Sequence, residues 1–201
     1  MTKNIIFDFG DIFINLDKQA VFKELAKYGF TSLTPELDSV AKKYEQGLIS
    51  SENFIQSLIT IFPKADASKI KTAWNSILLD FPLRRLEFLE NLAKEKKYRL
   101  FLLSNTNEIH ISYVIESMGK ENYKRFKDCF EKFYLSHEIQ LRKPNADIYE
   151  YVLQQNNLIA EETFFIDDTK ENTDAAEKLG IPCWNLQVGF EDVTDLKNKI
   201  Q

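Results

Sequence analysis

Residues 5–17, IIFDFGDIFINLD, decide how the chain is read. Ile5, Ile6 and Phe7 form an apolar run that stops at a carboxylate, Asp8. Gly10 and a second carboxylate, Asp11, follow, and another apolar run leads to Asp17. A short continuous apolar run bounded by a glycine reads as a strand buried on both faces. Gly10 is the residue best able to turn the chain. A buried strand that ends in an acid makes its own end a candidate for chemistry, with Asp8, Asp11 and Asp17 as the acids to choose among.

Similar runs recur at 98–103, 133–135, 163–166 and 183–188, with the first strand placed at 4–9. Helical patterns lie between most of them. Residues 83–97 open after Pro82 and end in Lys94, Lys96 and Lys97, cations suited to a helix carboxyl end. Residues 146–155 follow Lys143-Pro144-Asn145, and 170–179 are closed by Gly180 with Pro182 beyond. Alternating strands and helices imply an α/β fold, a doubly wound parallel sheet whose ligands sit at the strands' carboxyl ends.

From about residue 17 to 80 the alternation breaks into helix alone. Asp17 reads as the N-cap of the first of these helices, Thr34 caps a second with Pro35 in its first turn and Gly47 at its end, and a serine caps a third. The expected division is a Rossmann-like core of residues 1–15 and 81–201, with residues 16–80 as an α-helical cap inserted after the first strand.

The 201 residues carry 44% hydrophobic and 28% charged side chains, ordinary for a globular protein of one domain with an insertion. The net charge of -5 and the lack of a basic stripe argue against nucleic acid, and an anionic substrate would need a local positive site. No apolar stretch is long enough to span a membrane, and the amino terminus lacks the pattern of a signal peptide. Cys129 and Cys183 fit no metal spacing and read as buried thiols of a cytoplasmic protein. Nothing in the sequence speaks to oligomeric state.

Four strands stop at polar clusters: Asp8 with Gly10 and Asp11; Ser104-Asn105-Thr106, leading into a helix; Arg142-Lys143; and Asp167-Asp168. Singly, each could be a helix cap. Together they gather carboxylates, a hydroxyl at a helix amino end and a lysine on one rim, which is the inventory for metal-assisted chemistry on a phosphate.

In that order, Asp8, Ser104, Lys143 and Asp167-Asp168 resemble the four motifs of the haloacid dehalogenase superfamily, whose members are mostly magnesium-dependent phosphatases. FDxG, LSNTN and RKPxxxIY followed by DD resemble small bacterial phosphatases of the alpha-D-glucose-1-phosphate phosphatase kind. The resemblance implies a Mg²⁺-dependent phosphatase acting on a small phosphorylated metabolite. Asp8 would be the nucleophile that forms an aspartyl-phosphate. Asp8, Asp168 and the Gly10 carbonyl would hold Mg²⁺, with Asp167 ligating through water or orienting Lys143. Ser104, the Asn105 amide and Lys143 would bind the phosphoryl group, and Asn172 would support the metal site or cap its helix.

The sequence departs from the family at residue 10. Most of its phosphatases carry there a second Asp as general acid and base, a contribution of typically ~10²–10⁴ in rate. The readings left open are a good leaving group, a substitute acid with Asp11 as the candidate, or a protein that binds phosphate esters with little turnover. Asp11 could equally be a turn residue at the surface. A metal-independent 2-haloacid dehalogenase shares the nucleophile and the missing acid but leaves Asp167-Asp168 unexplained. His137 is a possible substrate contact. His110 and Trp74 are read chiefly as packing residues. Tyr44, Glu45 and Gly47 lie where related caps offer a loop to the site.

Overall fold

The computed structural model describes residues 1–200. Among these, five strands form one all-parallel sheet in the order β3-β2-β1-β4-β5. They are β1 (Asn4–Phe7), β2 (Arg99–Ser104), β3 (Lys132–Leu135), β4 (Thr163–Asp167) and β5 (Cys183–Asn185). The strands are continuous apolar runs because both faces are covered, and alternate residues serve different cores. Ile5 and Phe7 join the cluster under α5 (Leu83–Glu95), α6 (Glu108–Met118) and α7 (Lys120–Asp128). Ile6 joins Phe101, Leu103 and Phe165 under α9 (Ala146–Asn156) and α10 (Lys170–Glu177). A single turn of helix, α8 (Ser136–Ile139), follows β3 directly.

Register sets the chemistry's geometry. Phe7 pairs with Leu102 on one side and Ile166 on the other. The next residues, Asp8, Leu103 and Asp167, therefore stand level at the carboxyl rim. The fifth strand is shorter than its apolar pattern. It ends at Asn185, and Val188 and Phe190 beyond it are exposed.

Four helices lie between β1 and α5: α1 (Ala20–Ala26), α2 (Pro35–Glu45), α3 (Ser51–Ile61) and α4 (Ala67–Asn75). They enclose an apolar cluster of their own, built on Leu25, Leu37, Phe54, Leu58 and Ile70. Thr34, Ser50 and Asp66 each accept a backbone N–H at the start of a helix. Asp17 is not the formal N-cap. That position is Gln19, and Asp17, two residues earlier, accepts the Gln19 amide at 2.9 Å. The two chain crossings into and out of these helices pair with each other, Asn15 N–H to Asp80 and Leu79 N–H to Asn15. Among the described residues no helix is long and apolar enough to cross a membrane.

Candidate active site

Lys143 is the centre of the rim. Its side chain is 1% exposed, and its ammonium donates to Asp8 Oδ1 at 2.8 Å and to Asp167 Oδ2 at 2.6 Å. An ammonium so buried is tolerated only because both partners are anions. The lysine's own backbone is clamped by Asn105, whose amide group accepts the Lys143 N–H and donates to the Lys143 carbonyl, both at 2.9 Å. The Asn105 side chain thus positions Lys143 and is not free to bind phosphate.

Asp167 is fully enclosed. Besides Lys143 it accepts from Asn172 Nδ2 through both oxygens, at 3.0 and 2.9 Å, and from the Thr169 N–H at 2.8 Å. Asn172, in the first turn of α10, orients Asp167 instead of capping its own helix. Asp8, Asp167 and Asp168 each bring a carboxylate oxygen within 4.8 Å of the others. Three hard oxygen donors at that spacing suit Mg²⁺, which takes few carboxylates and keeps waters.

Electrostatics follow from burial. Desolvation pushes Asp8 up to about 7, against the pull of Lys143, while Asp167 and Asp168 add to the rise. Asp168 is also raised by burial, against Lys18. Burial disfavours the Lys143 ammonium, but Asp167 and Asp8 outweigh it and hold the lysine above its ordinary value.

Around residue 10 the structure corrects the sequence reading. The left-handed residue is Asp11, with φ 55°, and Gly10 is not among the positive-φ positions. What crowds residue 10 is the end of a leucine side chain: a Cβ there would lie 2.8 Å from Leu16 Cδ1. A side chain at residue 10 would have to push the end of Leu16 aside. Nor is Asp11 a surface turn residue. It is buried, its Oδ1 accepts the Leu16 N–H at 3.0 Å, and its Oδ2 lies 3.1 Å from Lys18 Nζ. Asp8, Gly10, Lys143 and Asp168 share one pocket of about 560 Å³, and Asp11 does not line it.

Ser104 ends β2 and lines an adjoining cavity of about 100 Å³ with Gly10, Leu16 and Asn105. The helix after it begins only at Glu108, capped by Asn107, so Ser104 is not at a helix amino end. The pocket's outer part is lined by Lys18, Lys42, Glu45, Arg142 and Asn145. Lys18 was missed at the sequence level, because nothing local marks it as a partner of Asp168.

The neighbouring helices meet the rim at Glu45 and Gly47. Glu45 Oε2 accepts from Arg142 Nη2 at 3.1 Å, and the Glu45 carbonyl accepts from Ser136 Oγ at 2.6 Å. Gly47, at φ +66°, lies against the His137 carbonyl, where a Cβ would come within 2.0 Å. His137 lies outside the pocket. Trp74 stacks on His110 at 5.4 Å, and the Trp74 carbonyl is 3.1 Å from His110 Nε2, so both are packing residues. The cysteines are half-buried, and burial raises both thiols, Cys129 to about 11 and Cys183 to about 12.

The haloacid dehalogenase-like hydrolases match residues 5–186 of the chain. The chain belongs to this family. Among curated family proteins it resembles D-ribitol-5-phosphate phosphatase of Bacteroides thetaiotaomicron, 27% identical over 95% of each chain. Among solved structures it resembles a haloacid dehalogenase family enzyme of the same organism, in complex with magnesium and inorganic phosphate. That enzyme is 34% identical, with TM-score 0.82 and coverage of 98% and 99% of the two chains. A haloacid dehalogenase-like hydrolase from Porphyromonas gingivalis is 27% identical, with TM-score 0.83 and coverage of 99% and 98%.

Proposed function

We propose that this chain is a Mg²⁺-dependent phosphatase of a small, polar phosphate monoester, such as a sugar or polyol phosphate, acting through an aspartyl-phosphate on Asp8. The observation that carries the reading is Lys143, clamped between Asp8 and Asp167 beside Asp168. When bound, Mg²⁺ supplies the positive charge that lets two anions approach. Asp8, Asp168 and the Gly10 carbonyl are assigned to hold it, and Asp167 to orient Lys143.

Lys143 favours the ionised form of Asp8 against its buried surroundings and would neutralise charge on the phosphoryl group. An Asp8 oxygen then attacks phosphorus as the ester oxygen leaves, and water hydrolyses the aspartyl-phosphate. Ser104 donates to the phosphoryl oxygens. No carboxylic acid at residue 10 or 11 faces the pocket, so the leaving oxygen takes its proton from water.

The substrate class is supported by the pocket's charged and polar outer lining and by the resemblance to a ribitol-phosphate phosphatase. Residues 16–80 act as a cap that shapes that outer part. The test is a panel of phosphorylated metabolites assayed with Mg²⁺ and with chelator. Phosphate release that chelator abolishes and Mg²⁺ restores is the expected result. Metal-independent chloride release from 2-chloropropionate would replace this reading with the dehalogenase one. Tight binding of phosphate esters without turnover would replace it with the binding-protein one.

A further inference from the structure

Each acid of the rim has a lysine, but the two lysines are held differently. Lys143 is enclosed, bound to two buried carboxylates and clamped through its backbone. Lys18 is 52% exposed and reaches in from the crossing that leads to α1. Its ammonium lies 2.5 Å from Asp168 Oδ2 and 3.1 Å from Asp11 Oδ2. Both of those carboxylates are almost wholly buried, at 7% and 6% side-chain exposure.

Asp11 is immobile. It sits at a left-handed position and its other oxygen is occupied by the Leu16 N–H. It therefore makes a fixed anionic seat for Lys18 at the edge of the pocket. Asp168 is different, because it belongs to the oxygen cluster that suits a divalent cation.

We propose that Lys18 is a built-in counter-ion of the metal site, paired with Asp168 in the metal-free protein and displaced onto Asp11 when Mg²⁺ binds, so that it weakens Mg²⁺ affinity. The inference rests on the Mg²⁺ reading given under Proposed function. Charge counting supports it. Asp8, Asp11, Asp167 and Asp168 carry four negative charges and Lys18 and Lys143 two positive ones, which leaves two negative charges for one Mg²⁺ to balance. Removing Lys18 leaves three. A long stem with half its length in solvent lets the ammonium withdraw at little cost, whereas Lys143 has nowhere to go.

The experiment is calorimetric titration of MgCl₂ into the full-length protein, for wild type, Lys18→Met, Lys18→Gln and Lys18→Arg, with melting temperatures recorded in chelator and in saturating Mg²⁺. The neutral variants should bind Mg²⁺ about twofold to fivefold more tightly, the scale set by one partly exposed ion pair. Their melting temperature should fall in chelator and recover in Mg²⁺, while Lys18→Arg stays near wild type. A merely structural role for Lys18 would loosen the site, so weaker binding in both neutral variants overturns the proposal. Unchanged affinity, with wild type binding Mg²⁺ normally, overturns it while leaving the Mg²⁺ reading intact. If wild type fails to bind Mg²⁺ at all, the functional reading itself falls, and this inference with it.

Discussion

At the rim of the sheet, Lys143, Asp8 and Asp167 are buried ions that hold one another in place. At the seam between helices α1–α4 and the sheet, buried Asn107 and half-buried His110 and Trp74 are neutral groups joined by ordinary hydrogen bonds and stacking. Both regions are polar and enclosed, yet they place opposite demands on the fold. The rim keeps charges where solvent would stabilise them better, which is the cost that the proposed nucleophile, Asp8, would impose. The seam keeps a titratable ring uncharged, because burial disfavours its charge more than the Trp74 carbonyl favours it. The contrast appears in the proton affinities: burial pushes Asp8 up to about 7 and His110 down to about 4.

The largest effect expected at the rim comes from Lys143→Met. It strands Asp8 and Asp167 without their shared cation, and breaking a buried pair from one side costs about 3–5 kcal/mol. Denaturant unfolding should show that loss, with turnover abolished as well. A stable, active Lys143→Met protein would dissolve the distinction between the two regions.

At the seam the comparable break is Gly47→Ala. Its Cβ would meet the His137 carbonyl at 2.0 Å, and the residue would be held at φ +66°. Overpacking against backbone plus left-handed strain suggests roughly 2–4 kcal/mol. The damage should extend to the Glu45–Ser136 and Glu45–Arg142 contacts, and so to the KM for phosphate esters. An unchanged KM would separate the seam from the pocket.

The two regions should also show opposite pH slopes in chelator. His110 has a folded value below its unfolded one, so its stabilisation is present above pH 6.5 and is lost as pH falls through about 4. Over that window the loss is roughly 3 kcal/mol, and His110→Gln should remove the slope. Asp8 has a folded value above its unfolded one, so its contribution is greatest below pH 3.8 and is lost as pH rises through about 7. Asp8→Asn should therefore melt higher than wild type at pH 8 and much closer to it at pH 4. Thermal melts across pH for the two variants check both signs.

How much of this the sequence disclosed follows the same division. Most of the rim was legible, because Asp8, Ser104 and Asp167-Asp168 each sit at the end of an apolar run, and a parallel sheet brings such ends together. Lys143 lies eight residues past the end of β3, beyond α8, and only its motif marked it. The helices of residues 20–75 were legible from their caps. Thr34 and Ser50 stand where a cap must, although Asp17 lies two residues early. Pairings between distant segments that carry no local periodicity were not legible. Lys18 with Asp168, Gly47 against His137 and Leu16 against Gly10 are of that kind. Gly10 shows the difficulty best. Glycine suggests a turn, yet the turn conformation falls on Asp11, and what crowds Gly10 is a leucine six residues later.

A smaller effect concerns the leaving group. With glycine at residue 10 and Asp11 outside the pocket lining, aryl phosphates should be cleaved faster than alkyl phosphates, and Asp11→Asn should leave that ratio unchanged. A flat profile under conditions where chemistry limits the rate would mean that another group donates the proton.

The central claim is that Asp8 becomes phosphorylated, and rapid-quench peptide mapping tests it most directly. Enzyme and Mg²⁺ are mixed with a phosphate ester, stopped in acid within one turnover, digested, and the peptide bearing Asp8 is weighed. The account predicts one acid-stable, base-labile phosphoryl group on Asp8, absent from Asp8→Asn. With oxygen-18 water the label should appear in released phosphate and not in the Asp8 carboxylate. A phosphoryl group on any other residue, or label in the Asp8 carboxylate, would contradict it.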